Sequence, residues 1–397
     1  MNISVVKSQP IAFFTGNRAE YFLLKPILRV FEASSFWSVT VIVSGAHLDA
    51  SYGYTADLIH QDGWENVICI DIPSPNSGAE TASAIGSAIK RYVSFLETKD
   101  FKYLVVYADR FEGLAAVIAG FHLGIQVVHI EGGDVTTGGA FDDVYRDVMT
   151  RFASIHWPTS SHAKSRLADL GVLDTDICTI GLPSLDEIKS GNLLNARDLS
   201  LELGINIGPS AELILFTFHS VSSVWSEASS TVAQCLVALK NWVSMSENRF
   251  VLVSYPNNDP GGVGIINEIE KFSSGCDRVI LRETFGLSIV FSIYNLGASG
   301  VKSVCVGNSS SGIKEASVFG CPVVNIGDRQ NGRFRTSNII DVSCDVASIS
   351  DGLSKAFSAA FIRKCKGMHS PYWQGGAGER ALHDLEARRS ANDGNTK

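Results

Sequence analysis

Two carboxylates stand where apolar runs end. Asp109 follows Tyr103–Tyr107 in Y-A-D-R-F-E, and Glu131 follows Val127–Ile130 in H-I-E-G-G-D. As strands of one parallel sheet, the two runs would put both acids at its carboxyl edge, where ligands of α/β proteins sit. Asp142 and Asp143 come next, after a glycine-rich segment, Gly132 to Gly139, that could bring them back over that edge. Gathered acids repel when ionised, so at least one is expected to hold a proton near neutrality, which supplies an acid and a base in one place. Asp142 or Asp143 could instead simply start the next helix as its cap. A cap accounts for one carboxylate and leaves acids at two successive strand ends unexplained.

Four further motifs suit an anion. T-G-N-R-A-E (Thr15–Glu20) lies between a strand-like run and a helix-like one, with Gly16 for a tight turn, outward-pointing amides and Arg18 as fixed charge. A plain turn with a solvated arginine is the alternative. G-N-S-S-S-G-I-K-E (Gly307–Glu315) brings Ser309, Ser310, Ser311 and the amides up to Gly312 to a helix start, a cradle for a diphosphate, with Glu315 able to accept from a ribose diol. The alternative there is a serine-rich turn with an ordinary cap. G-D-R-Q-N-G-R-F-R contributes Arg329, Arg333 and Arg335, which complement phosphate unless the loop is merely solvated. His219 ends the run Leu213–Phe218, placed either as a phosphate donor or as a polar turn residue. Walker A, dinucleotide G-x-G-x-x-G, zinc and G-x-S-x-G patterns are not found.

These residues need rigid elements behind them. Ile11–Phe14, Val39–Val43, Val67–Ile70, Tyr103–Tyr107 and Val127–Ile130 read as strands. Ala19–Phe31, Glu80–Glu97 and Phe111–His122 read as helices between them. The rhythm restarts at Leu213–Phe218 and continues through Phe250–Tyr255, Val279–Leu281, Val304–Gly307 and Val323–Ile326. Nearly continuous apolar strands mean sheets covered on both faces, so the fold class is α/β: two doubly wound Rossmann-like domains facing a cleft. The expected divisions are 1–185 for the carboxylates, 186–365 for the nucleotide, and a tail, 366–397, that packs back on the first domain. The tail after Gly375, rich in glycine and charge, is expected to end in a frayed polar stretch.

With 397 residues, 45% apolar and 19% charged, the chain can build two ordinary cores and is not a disordered one. A net charge of -8 argues against a nucleic-acid binder working by bulk charge, and does not disfavour a small anionic ligand met by a few arginines. The eight cysteines have no C-x-x-C spacing and read as buried reduced thiols. Gly113–Ile130 carries no formal charge but is broken by Gly120, His122, Gly124, Gln126 and His129, so it reads as helix, turn and strand and not as a membrane span. With no signal peptide read at the start, a soluble cytoplasmic protein is expected.

Taken together, the motifs resemble the hydrolysing UDP-N-acetylglucosamine 2-epimerases of sialic and related nonulosonic acid pathways. The carriers are TGNRAEYFLLKPIL, SGAHLDASYGYT, ADRFEGLAAVIAG, HIEGGDVTTGGAFDDVYRD, YPNNDPGG and GNSSSGIKEASVFGCPVVNIGDRQNGR, in that order from about Phe14 to Val342. The resemblance implies the two-domain GT-B fold. It implies acid/base roles for Asp109, Glu131 and Asp142, and sugar, diphosphate or ribose contacts for Arg18, Arg110, His219, Ser309, Ser310, Glu315 and Arg329. It also implies a UDP-sugar substrate and a homodimer or homotetramer. The chemistry needs no metal or redox cofactor, and no nucleic-acid or membrane partner is expected. A glycosyltransferase on the same fold would keep the serine cradle and the arginines but has no need of three carboxylates around the reacting carbon. Three departures stand out: Asn17 where the family usually has Thr, His219-Ser220-Val221-Ser222 where it has H-P-V-T, and Asp147 where a His commonly follows Arg146. Asp147 is expected to add negative charge near the reacting centre.

Overall fold

The computed structural model describes residues 9–50, 53–75, 77–138, 141–189, 193–221, 224–256, 261–372 and 374–394. Ser222 and Asn257–Pro260 of the motifs above, with Gly139, fall outside them. The chain divides into two compact units. The first comprises Met1–Asp134, Asp142–Asp186 and Gln374–Lys397, and the second Val135–Phe141 and Glu187–Trp373.

In the first unit β1 (Gln9–Thr15), β2 (Trp37–Ser44), β3 (Val67–Ile70), β4 (Tyr103–Tyr107), β5 (Gln126–Ile130) and β6 (Ile155–Trp157) form a sheet in the order β3-β2-β1-β4-β5-β6. Every pairing is parallel. The connecting helices are α1 (Arg18–Glu32), α2 (Ala56–Gln61), α3 (Gly78–Leu96), α4 (Phe111–His122), α5 (Asp142–Phe152) and α6 (Ser161–Asp169). Successive strand residues face opposite ways. Phe13 therefore packs in one core with Leu24, Phe31 and Trp157, while Phe14 packs in the other with Tyr92 and Leu104. Both rings are essentially buried, each stabilising by roughly 1.5–3 kcal/mol. Gly120 lets α4 lie close on β4, since a Cβ there would come within 2.8 Å of Leu104 Cδ2. Among the described residues no helix is long and apolar enough to cross a membrane.

A short α7 (Asp186–Lys189) straddles the division. The second unit repeats the plan: β7 (Glu212–Thr217), β8 (Arg249–Ser254), β9 (Val279–Arg282), β10 (Lys302–Gly307), β11 (Val323–Ile326) and β12 (Ile339–Val342) lie in the order β12-β11-β10-β7-β8-β9, again parallel. Its helices are α8 (Ala196–Leu203), α9 (Ala228–Ser244), α10 (Gly262–Ser273), α11 (Gly286–Asn295), α12 (Ser310–Ile313), α13 (Glu315–Val318), α14 (Val346–Ala356) and α15 (Ala359–Lys366). Ile214, Phe216, Val251, Val253, Val304 and Val306 centre its core.

The chain then returns to the first unit as α16 (Ala377–Gly394). The stretch read as fraying is thus helical as far as Gly394. Ala377, Ala381 and Leu385 are fully buried, Asp384 accepts from Trp157 Nε1 at 2.8 Å, and Arg380 Nε donates to Ile180 O at 2.8 Å. The Asp186 carboxylate accepts the amides of Gly376, Ala377 and Gly378, at 2.5, 3.1 and 2.9 Å, and so satisfies the start of the helix. A sequence rich in charge hid this because three apolar residues suffice to seat one face.

Both sheets reverse direction of growth at one point, between β1 and β4 and between β7 and β10. In sheets of this kind ligands bind at that point, beyond the carboxyl ends of the strands. Thr15–Arg18 and Asp109 flank the first such point. His219 and Asn308–Ser311 flank the second.

Candidate active site

The register of the first sheet sets its acids side by side. Tyr107 pairs with Ile130, so Ala108 stands next to Glu131 and Asp109 lies one residue further. Ala108 and Glu131 both have left-handed backbones, at φ 60° and 66°. For residues with a Cβ this costs roughly 1–2 kcal/mol each and has to be held by neighbours. Ala108 N donates to Ile130 O at 3.0 Å and Glu131 N to Trp157 O at 3.1 Å. Behind them the buried His129 bonds Ala108 O through Nε2 at 2.7 Å and Thr150 Oγ1 through Nδ1 at 3.1 Å. A carbonyl only accepts, so Nε2 carries the proton and Nδ1 accepts from the threonine. Burial, above all, pushes His129 down to about 4, and the ring stays neutral.

Arg146 joins Asp109 to Asp143. It lies on α5 with its side chain 1% exposed, and ion-pairs with both Asp109 and Asp143. Its Nη1 also donates to Asp134 O at 3.0 Å. Burial opposes its charge, but Asp109, Asp134 and Asp143 outweigh this and raise its pKa above the ordinary value. Asp142 and Asp143 occupy the first turn of α5, where a helix favours negative charge. The resemblance marked Arg146 as part of a motif and did not mark it as the counter-charge.

Asp147, expected as added negative charge, is paired. Arg166 Nη1 and Nη2 meet its two oxygens at 2.8 Å each.

Beneath the T-G-N-R-A-E turn lies a second pair of acids. Asn17 caps α1 by accepting from Glu20 N at 3.0 Å, and Glu20 Oε2 accepts from Gly16 N at 2.8 Å. Two amides of this turn are therefore engaged by the chain itself, and Arg18, half-buried, is its cation. Glu112, also buried, meets Arg110 Nε at 3.6 Å. A Cβ on Gly16 would lie 3.0 Å from Glu112 Cβ and 3.4 Å from Glu20 Oε2, so both side chains reach the turn. His47 steadies it, bonding Thr15 at 3.0 Å and Thr55 at 2.7 Å. Burial first, then the charge of Glu112, pushes Glu20 up to about 8, against the Gly16 bond and Arg110.

This predicts a pH effect. Between about pH 4.5 and about 8 the folded chain keeps a proton on Glu20 that the unfolded chain releases. The group's contribution to stability is therefore full below about pH 4.5 and is lost as pH rises through about 8. Urea unfolding at pH 5.5 and 8.5 should show a smaller loss of stability in Glu20→Gln than in the parent. Parallel profiles would mean that the carboxyl is not protonated in the fold.

In the second unit Asn308 is the joint. Its side chain accepts from His219 N at 2.7 Å and donates to His219 O at 2.8 Å. Its own carbonyl accepts from Arg329 Nη1 at 3.1 Å and Gln330 Nε2 at 2.8 Å. Loops after β7, β10 and β11 are thus fastened at one buried amide. Ser309 caps α12 through a 3.4 Å bond from Ser311 N, and Ser311 Oγ bonds Tyr294 Oη at 3.1 Å, while Ser310 is half-buried. Gly312 is buried near Cys305 and Glu315 is buried at the start of α13. Of the three arginines, Arg335 is spent on Asp341 at 3.2 Å and Gln330 O at 2.7 Å. Val135–Phe141 belongs to this unit, with Thr137 N donating to Asn331 O at 2.8 Å.

Residues 29–386 match the UDP-N-acetylglucosamine 2-epimerase family. The chain belongs to this family. It is 31% identical over 356 residues to the UDP-N,N'-diacetylbacillosamine 2-epimerase (hydrolyzing) of Legionella pneumophila, covering 89% of this chain and 90% of that one. It is 28% identical over 348 residues to the UDP-N-acetylglucosamine 2-epimerase of Neisseria meningitidis serogroup B, covering 88% and 87%. A likeness of fold extends to the crystal structure of UDP-GlcNAc 2-epimerase from Neisseria meningitidis bound to UDP-GlcNAc, with a TM-score of 0.78, 15% identity, and coverage of 96% of this chain and 100% of that one.

Proposed function

We propose that this member of the 2-epimerase family is a hydrolysing enzyme, converting UDP-N-acetylglucosamine to UDP and N-acetylmannosamine in the cytoplasm for a sialic or related nonulosonic acid. The observation that carries the reading is the placement of Asp109 and Glu131 at neighbouring strand ends on the ligand edge, with Asp142 opening α5 beside the Asp143 that Arg146 joins to Asp109.

The proton at C2 of the sugar becomes removable as the C1–O bond to UDP breaks and positive charge develops at C1. A carboxylate takes that proton, the C1–O electrons leave with the diphosphate, and 2-acetamidoglucal forms. Water then adds at C1, and a carboxylic acid returns a proton to C2 from the opposite face, inverting that carbon. Asp109, Glu131 and Asp142 supply the acid and base. Arg18 and Arg110 of the first unit, with His219, Ser309, Ser310, Ser311, Gly312, Glu315 and Arg329 of the second, hold the sugar, diphosphate and ribose and stabilise the departing charge. In this reading the fold is of the GT-B type, and the enzyme is a homodimer or homotetramer.

A second sugar has support of its own. The Legionella pneumophila relative, at 31% identity, is named for UDP-N,N'-diacetylbacillosamine. Incubation with each UDP-sugar in deuterated water separates the readings. Free UDP and N-acetylmannosamine labelled at C2 are expected. Release from the diacetamido-trideoxy sugar alone would move the substrate, and an intact UDP-linked epimer would overturn hydrolysis.

A further inference from the structure

We propose that Asp147 and Arg166 are positioning residues, which fix the loop behind Glu131 by clamping the carbonyl of Asp134. For its turnover arm this rests on the epimerase reading; for its structural arm it does not.

Glu131 begins a loop that must be restrained on both sides, because its left-handed backbone is intrinsically unfavourable. On its amino side Trp157 O holds Glu131 N. On its carboxyl side two guanidinium groups converge on one oxygen: Arg146 Nη1 reaches Asp134 O at 3.0 Å and Arg166 Nη1 reaches it at 3.3 Å. Arg146 is fully buried and oriented by Asp109 and Asp143. Arg166 comes from α6 with its side chain 27% exposed, so it needs a partner to hold its plane. Asp147 is that partner, through two parallel bonds of 2.8 Å that fix the plane of the guanidinium. The loop also lies flat on α6: Gly133 has φ 84°, and a Cβ there would run into Ala163 O and lie 2.9 Å from Leu167 Cγ. The clamp and the helix wall together leave Glu131 little freedom. The aspartate at position 147 acts as half of a brace and leaves no unbalanced charge.

The test uses the full chain, with Arg166→Met, Arg166→Lys and Asp147→Asn. Arg166→Met should lower kcat by roughly 10- to 100-fold, because small displacements of an acid or base are costly. KM and the UDP dissociation constant should move by less than about twofold. Arg166→Lys should recover part of the loss. Amide exchange followed by mass spectrometry should be at least about tenfold faster across Glu131–Asp134 in Arg166→Met and Asp147→Asn, because the restraint that suppresses local opening is gone. If Arg166→Met does not fold, Asp147→Asn carries both readouts. Unchanged exchange in a folded variant overturns the proposal. So does a fall in kcat matched by equal changes in KM and UDP affinity. A parent that turns over none of the UDP-sugars defeats the epimerase reading, and exchange still decides the brace.

Discussion

Asp109→Asn and Glu131→Gln will each lower turnover by roughly 10²–10⁴-fold, the range expected when one general acid or base is removed. UDP affinity, measured by calorimetry, will stay within about threefold in both, since the proposed mechanism gives neither carboxylate a part in holding the nucleotide. Asp109→Asn should also cost stability. Asp109→Asn removes one of the two carboxylates paired with the buried Arg146 and leaves the guanidinium to Asp143 and the Asp134 carbonyl. A loss of about 1–3 kcal/mol is expected for Asp109→Asn, as for other weakened buried charge pairs. Partial reactions sharpen the point: a variant lacking only the returning acid should release UDP and accumulate the glucal, and one lacking the base should release neither. Full turnover in either variant, with its fold intact, would make that acid structural and return its role to another carboxylate.

The strands were legible because runs such as Phe13-Phe14 and Val105-Val106 supply two cores at once, and only a sheet buried on both faces needs that. Strand ends then located Asp109, Glu131, His219 and the serine loop without further information. Two edge strands escaped. Ile155–Trp157 is buried throughout but only three residues long with a histidine in the middle, too short for a pattern to show, and Ile339–Val342 is partly exposed and carries Asp341. The finer architecture of the site was out of reach for a different reason. Ala108 and Glu131 are ordinary residues in glycine-like conformations, and no residue type announces that. Glu20 and Glu112 meet only because β1 and β4 are neighbours, which pattern can suggest but side-chain chemistry cannot. Asn308 reads as one more polar residue in a serine-rich loop until both of its amide atoms are seen on the backbone of His219. The departure from Thr to Asn17 has a local account, since the asparagine caps α1 as an oxygen-bearing side chain should.

Arg146→Met is expected to destabilise the chain by about 3–5 kcal/mol, the cost of removing one member of a buried ion pair and leaving its partners charged. It should also abolish turnover, because Asp109 then loses the group that orients it and shares a crowded edge with Asp143. Arg146→Lys should recover little. An ammonium is a single point of charge and cannot reach Asp109, Asp143 and the Asp134 carbonyl together, as the planar guanidinium does. Stability and chemistry can be told apart by neutralising the acids as well. The triple variant Arg146→Met, Asp109→Asn, Asp143→Asn replaces the arginine and its two ion-pair partners with neutral groups and should regain part of the lost stability in urea unfolding. It should remain inactive, since in the proposed mechanism Asp109 is one of the carboxylates the reaction uses. If the triple variant is no more stable than Arg146→Met, the arginine's role lies in packing and not in charge. If Arg146→Met folds and turns over normally, the acids at this edge do not depend on a common counter-ion, and their arrangement must be held by the backbone alone.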